Sequence, residues 1–201
     1  MKCERMFFMI FLASVFLFAT AGFKALGGNA RTELEKKGYT YSESSFIECA
    51  EKGDVEAAKM FLSEGININA LDKEGQSALM RASLFGHVEM VKLLLGKGAD
   101  IKIRSKETQG TALMEAVGGN QPDIIRLLVQ NGADVNERDV LNRSPLHAAC
   151  MWDFVEVAKV LIESGARTDA LDMNDLTPLM VAEQSGNQTM VQFLKNSGVK
   201  E

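Results

Sequence analysis

Ser77-Ala78-Leu79-Met80 returns as Thr111-Ala112-Leu113-Met114, as Ser144-Pro145-Leu146-His147 and as Thr177-Pro178-Leu179-Met180. The leucines of these four motifs lie 34, 33 and 33 residues apart. Gly65, Gly98, Gly132, Gly165 and Gly198 keep the same beat. A fixed period in this range belongs to a solenoid of stacked supersecondary units rather than to one globular core.

The unit from Asp72 to Arg104 shows how one period is built. Ser77 stands ahead of Leu79 and can cap a helix by accepting from its free backbone N–H groups. Pro145 and Pro178 follow the cap in later units, at the first helical position, where a missing N–H costs nothing. The spacing predicts a short first helix over Ala78–Phe85, with small Ala82 and Ser83 admitting a close neighbour. Gly86 ends it, and Asn120 and Asp153 hold the same place in other units; all three residue types tolerate a left-handed turn. A second helix over Val88–Lys97 carries Val91, Leu94 and Leu95 on one face, and Gly98 closes it.

Gly86-His87-Val88-Glu89-Met90-Val91-Lys92-Leu93-Leu94-Leu95, followed by Gly98-Ala99-Asp100, together with Ser144-Pro145-Leu146-His147-Ala148-Ala149, resembles the ankyrin repeat. The resemblance runs from about Tyr41 to Val199. It implies an all-α fold: a solenoid of five antiparallel helix pairs with short hairpin-like loops along one edge. The units are read as 41–71, 72–104, 105–138, 139–171 and 172–201, preceded by a flexible tether over 22–40. The ends depart from the pattern as caps should. The first unit lacks the turn before Ser45, and the last has Lys195 where inner units have Leu95, Val129 and Ile162.

Residues 6–21 are apolar or small and uncharged, Lys2 and Arg5 precede them, and Ala19-Thr20-Ala21 offers a small-residue cut site. These are the parts of an export signal, read as residues 1–21, and the run is short for a membrane span. An uncleaved anchor is the alternative. Export places the chain in a periplasm or outside the cell, and the resemblance is closest to small exported bacterial ankyrin proteins. Cleavage removes two of 22 basic and one of 27 acidic residues, leaving 20 against 26 and a net charge of −6. Such an acidic chain, without a basic block, is a poor nucleic-acid binder.

Cys3 leaves with the signal. Cys49 and Cys150 remain, three units apart, about 25–30 Å at the usual spacing of packed helices and far beyond disulfide reach. They read as buried small side chains. His87 and His147 sit where ankyrin histidines make structural hydrogen bonds. No zinc-site spacing, phosphate loop, dinucleotide fingerprint or nucleophile elbow is present, so neither metal, cofactor nor catalysis is expected. A small-ligand carrier with a pocket at Gly118-Gly119, the further alternative, would need convergent polar groups that the sequence does not place there. Asn142-Arg143-Ser144 and Asn187-Gln188-Thr189 fit the glycosylation pattern.

The resemblance places the concave groove at the hairpin tips and the ends of the first helices. Those positions are Lys73, Glu74, Gln76, Leu84 and Phe85, then Gly118 and Gly119. The fourth unit gives Arg138, Val140, Leu141, Arg143, Met151 and Trp152, and the fifth gives Leu171, Met173, Asn174, Leu176, Gln184 and Ser185. Eight of these are apolar: Leu84, Phe85, Val140, Leu141, Met151, Trp152, Met173 and Leu176. If they gather on one exposed surface they mark an interface with another protein, for a chain that is monomeric alone; if Phe85 and Trp152 fold inward they are filler between repeats. Gly118 and Gly119 are expected to leave a notch between Phe85 and Trp152, with Arg138 and Arg143 at its rim. The third hairpin is one residue longer than its neighbours and carries Lys102, Arg104 and Lys106. Its length is either a neutral insertion or an adapted contact.

Overall fold

The computed structural model describes residues 29–199; the segment read as an export signal, residues 22–28 of the expected tether and the last two residues lie outside it. Ten helices form five antiparallel pairs: α1 (Glu43–Lys52) with α2 (Val55–Ser63), α3 (Ala78–Leu84) with α4 (Val88–Gly96), α5 (Ala112–Gly118) with α6 (Pro122–Gln130), α7 (Pro145–Met151) with α8 (Val155–Glu163), and α9 (Pro178–Gln184) with α10 (Gln188–Asn196). First helices stack on first helices and second on second through all five units. Apart from one isolated bridge between Leu71 and Ser77, the described residues hold no β structure. No helix among them is long and apolar enough to cross a membrane.

The local signals act as read. The Ser77 hydroxyl accepts from the Met80 N–H at 3.2 Å, and Ser144 and Thr177 cap α7 and α9 in the same way. Gly86, Asn120 and Asp153 take φ of 82°, 54° and 57°, the left-handed turn that lets two helices double back within three residues. Leu79, Leu113, Leu146 and Leu179 are buried in a continuous core with Leu94, Leu128, Leu161 and Leu194. The hairpins join into a ribbon: the Lys106, Val140 and Met173 N–H groups donate to the carbonyls of Glu74, Thr108 and Leu141.

Cys49 and Cys150 are buried free thiols on α1 and α7, and burial pushes each pKa up to about 12, so neither is a reactive thiolate. The tether reading needs correction beyond residue 28. Residues 29–36 are helical, Leu34 is fully buried, and Tyr39 and Tyr41 pack on Phe61. Arg31 stacks over the Tyr41 ring and pairs with Glu64 at 3.0 Å, while Lys37 pairs with Asp54. Unit one has no repeat before it, so these residues cover its open apolar face. The charged run Glu33 to Lys37 masked this in the sequence, because a cap needs only a few apolar side chains.

Candidate binding groove

The fourth and fifth units present the apolar surface. Hairpin residues Val140 and Met173 are 59% and 60% exposed, Leu141 and Leu171 stand beside them, and Trp152 at the end of α7 is 60% exposed. Phe85, at the equivalent place on α3, is 47% exposed, so neither aromatic ring is filler between repeats. Leu84, Met151 and Leu176 are half-buried at its base. Leu71, in the register of Leu171, is also exposed, and the sequence reading missed it.

The expected notch is absent. A Cβ on Gly119 would lie 2.0 Å from the Leu84 carbonyl oxygen. Gly119 is therefore a close-approach glycine that lets α5 press against the end of α3, although its φ of −79° suits any residue. Gly118 is exposed, and a Cβ there would meet only the Leu84 side chain, at 3.9 Å. The two arginines expected at a rim are committed inside the chain. Arg138 donates to the carbonyls of Asn142 and Leu171, and Arg143 makes a paired contact with Asp139 at 2.7 and 2.8 Å. Arg104, one hairpin earlier, repeats the pattern of Arg138 by donating to the carbonyls of Gln109 and Arg138. Despite its extra residue, the third hairpin keeps a left-handed residue four positions before its motif leucine, Gln109 at φ 56°, as the others do at Gly75, Asn142 and Asp175.

The sequence reading also missed an electrostatic strip on units one to three. Arg81, on α3 one turn before Leu84, pairs with Asp72 at 2.7 Å and lies 3.8 Å from Glu74 and 4.0 Å from Glu51. Burial opposes the Asp72 charge, yet the Arg81 pair and the Gln76 N–H hold its carboxyl below the ordinary range. Glu115, in the same register on α5, accepts from the Gln76 side-chain amide at 3.1 Å. Burial pushes Glu115 up, only partly offset by that hydrogen bond and by the Arg81 charge. The Gln76 amide oxygen, Oε1, is buried without a hydrogen-bond partner. The signal was available: Arg81 and Glu115 directly follow the recurring Leu-Met pair.

Both histidines hold units together. His147 Nδ1 contacts the Ser144 hydroxyl and N–H, and its Nε2 lies 3.0 Å from the Leu176 carbonyl; His87 Nε2 lies 2.7 Å from the Glu51 carbonyl. The amide nitrogens of both glycosylation-pattern asparagines are engaged likewise, Asn142 with the Leu171 carbonyl and Asn187 with those of Cys150 and Met151. Among the described residues no group of three His, Cys, Asp or Glu side chains is placed to hold a metal ion.

Helix pairs, hairpin ribbon and capped ends together define an ankyrin-type solenoid. The family model for ankyrin repeats matches residues 46–139 and 137–200, and the chain belongs to that family. It is similar to Ankyrin repeat and SOCS box protein 6 of Mus musculus, 33% identical over 156 residues, covering 77% of this chain and 35% of that protein. It is also similar to Protein phosphatase 1 regulatory subunit 27 of Homo sapiens, 42% identical over 59 residues (29% of this chain, 38% of that protein). Potassium channel KOR1 of Oryza sativa subsp. japonica is 37% identical over 86 residues, 43% of this chain and 10% of that channel. The chain thus spans a minor part of each of these relatives.

Proposed function

We propose that the chain is a non-catalytic protein-binding module that works outside the cytoplasm through its concave groove and hairpin tips. The carrying observation is the cluster of exposed apolar side chains on units four and five, with Trp152 and Met173 each 60% exposed. Exposed apolar side chains on neighbouring hairpins, together with an exposed tryptophan, have the composition of an interface hot spot. One matched relative is named as a regulatory subunit of a phosphatase, and a regulatory subunit acts by contacting another chain. The location outside the cytoplasm is supported by the basic, then apolar, then small-residue order of residues 2–21.

Two measurements test this reading. A photo-crosslinking residue at position 152 should trap a partner in the native cell envelope, whereas the same residue at Lys92, on the outer face of α4, should not. Equal trapping at both positions overturns the groove. N-terminal sequencing of the same fraction should begin at Gly22. Intact Met1 in the membrane pellet overturns export of a free chain and makes it an anchored scaffold.

A further inference from the structure

The groove has two chemistries laid end to end on one backbone register. In units four and five the large exposed side chains are Val140, Leu141, Trp152, Leu171 and Met173, and the basic side chains there are already committed, Arg143 to Asp139 and Arg138 to two carbonyls. In units one to three the surface is charged, and carboxylates outnumber cations. Glu48, Glu51, Asp72, Glu74, Glu107 and Glu115 stand against Lys52, Lys73, Arg81, Arg104 and Lys106, six against five. Most charges of both signs are already engaged within the chain. Lys52 is bound to Glu48, Arg81 is held by Asp72 between two further glutamates, and the Lys106 ammonium lies 3.4 Å from the Lys73 carbonyl. Glu115 has one neutral amide for a partner, and the Gln76 oxygen beside it has none.

We propose that the groove takes a segment of a partner protein that is apolar at one end and cationic at the other, its bulky side chain against Trp152 and its lysine or arginine at Glu115. The proposal rests on the protein-binding reading above and adds the partner's chemistry and polarity. Trp152 and Glu115 lie one repeat apart on adjacent first helices, α7 and α5. Gly118, on the same helix as Glu115, is exposed and adds no side chain there. A cation at Glu115 supplies a direct ion pair, where the chain gives only the Gln76 amide and the nearby Arg81 charge. Burial already disfavours the lone Glu115 carboxylate, so an arriving cation gains from a charge the free protein holds at a cost in stability. An acidic or purely apolar segment would leave that charge uncompensated.

Trp152 is the only tryptophan in the chain, so its emission reports occupancy of the apolar half directly. A random twelve-residue peptide library panned on the purified full chain provides the probe, and enriched peptides are then synthesised and titrated. The expected consensus pairs a bulky apolar residue with lysine or arginine, and binding shifts Trp152 emission to the blue. Trp152→Ala, followed by labelled peptide, should weaken binding about thirtyfold, the scale of a hot-spot truncation. Glu115→Gln should weaken it about five- to tenfold and flatten its dependence on salt. Glu74→Lys, at an exposed tip, repeats the charge test without touching the half-buried position.

A Trp152-dependent consensus without cations, or with acidic residues, overturns the polarity and leaves the protein-binding reading intact. No enriched peptide sensitive to either substitution overturns both. A blue shift produced by phosphatidylglycerol vesicles alone assigns the patch to a lipid surface. A blue shift that grows with protein concentration alone assigns it to a second copy. Either result overturns the proposal.

Discussion

Gly119 and Trp152 hold the same place in the repeat, directly after the last residue of a first helix, and meet opposite fates. At Gly119 the backbone of α3 comes so close that a Cβ would lie 2.0 Å from a carbonyl oxygen. At Trp152 a whole indole stands 60% exposed. The wider halves differ in the same sense. Units one to three give most of their concave positions to charge pairs and close helix contact, with Phe85 and Leu71 exposed among them, while units four and five carry mostly exposed apolar side chains. The buried leucines below are the same in both. A repeat register thus fixes what lies inside, because every unit must bury the same face, and leaves the outward positions free to diverge.

The shared core gives the largest expected effect. Leu146→Ala should cost about 3–4 kcal/mol in urea unfolding, since Leu146 is fully buried in the middle of the stack. Leu113→Ala in the other half should cost a similar amount. A difference of more than about 2 kcal/mol would show that the two halves do not share one continuous core. Next comes Gly119→Ala, at about 2–3 kcal/mol, because the new methyl group meets backbone rather than a side chain that can turn away. Gly118→Ala should change little. Equal effects at the two glycines would break the assignment of Gly119 as the close contact between α3 and α5.

A smaller effect depends on pH and belongs to the apolar half. Burial holds the His147 imidazole below its ordinary 6.5, against the Leu176 hydrogen bond that favours its charge. The unfolded chain therefore takes up a proton before the folded one does. Stability from this group is fully present above pH 6.5 and is lost as pH falls through the lowered folded value. Urea midpoints between pH 7 and 5 should decline, and the decline should flatten in His147→Gln even though that variant is weaker throughout. An unchanged slope would mean that His147 is not the titrating group.

The helix pairs, their caps and left-handed turns, the buried cysteines and the structural histidines were legible in the sequence, because each follows from a local rule repeated four or five times. What was not legible depends on neighbours in space. The cap over 29–40 hides its few apolar anchors, Leu34 and Tyr39, among charges. Gly119 looked like open space because a missing side chain reads the same whether it leaves a gap or removes an obstacle. Arg138 and Arg143 looked like free cations because their acceptors are two backbone carbonyls and a carboxylate four residues away. The Arg81–Glu115 strip was passed over because charged residues on a solvated face carry no signal until their partners are known.

Trp152 and Glu115 complete the comparison at the smallest scale, since Trp152 is exposed and Glu115 only half-buried, and replacing either should leave the fold nearly untouched. Trp152→Ala should lower stability by no more than about 0.5 kcal/mol, as for an exposed side chain away from the core. A loss approaching that of Leu146→Ala would return Trp152 to the core and dissolve the difference between the halves. Glu115→Gln should move the other way. Burial raises the Glu115 carboxyl pKa, so the folded state prefers it protonated. The stability this group contributes is present below its ordinary 4.5 and is lost as pH rises through the higher folded value. A neutral glutamine keeps the shape and cannot ionise. At pH 7 the variant should therefore match or exceed the native chain, by at most about 0.5 kcal/mol since the carboxylate still reaches water, and at pH 4 the gain should vanish. A loss at pH 7 would show that the charge already has a stabilising partner within the chain and is not held in reserve for a ligand.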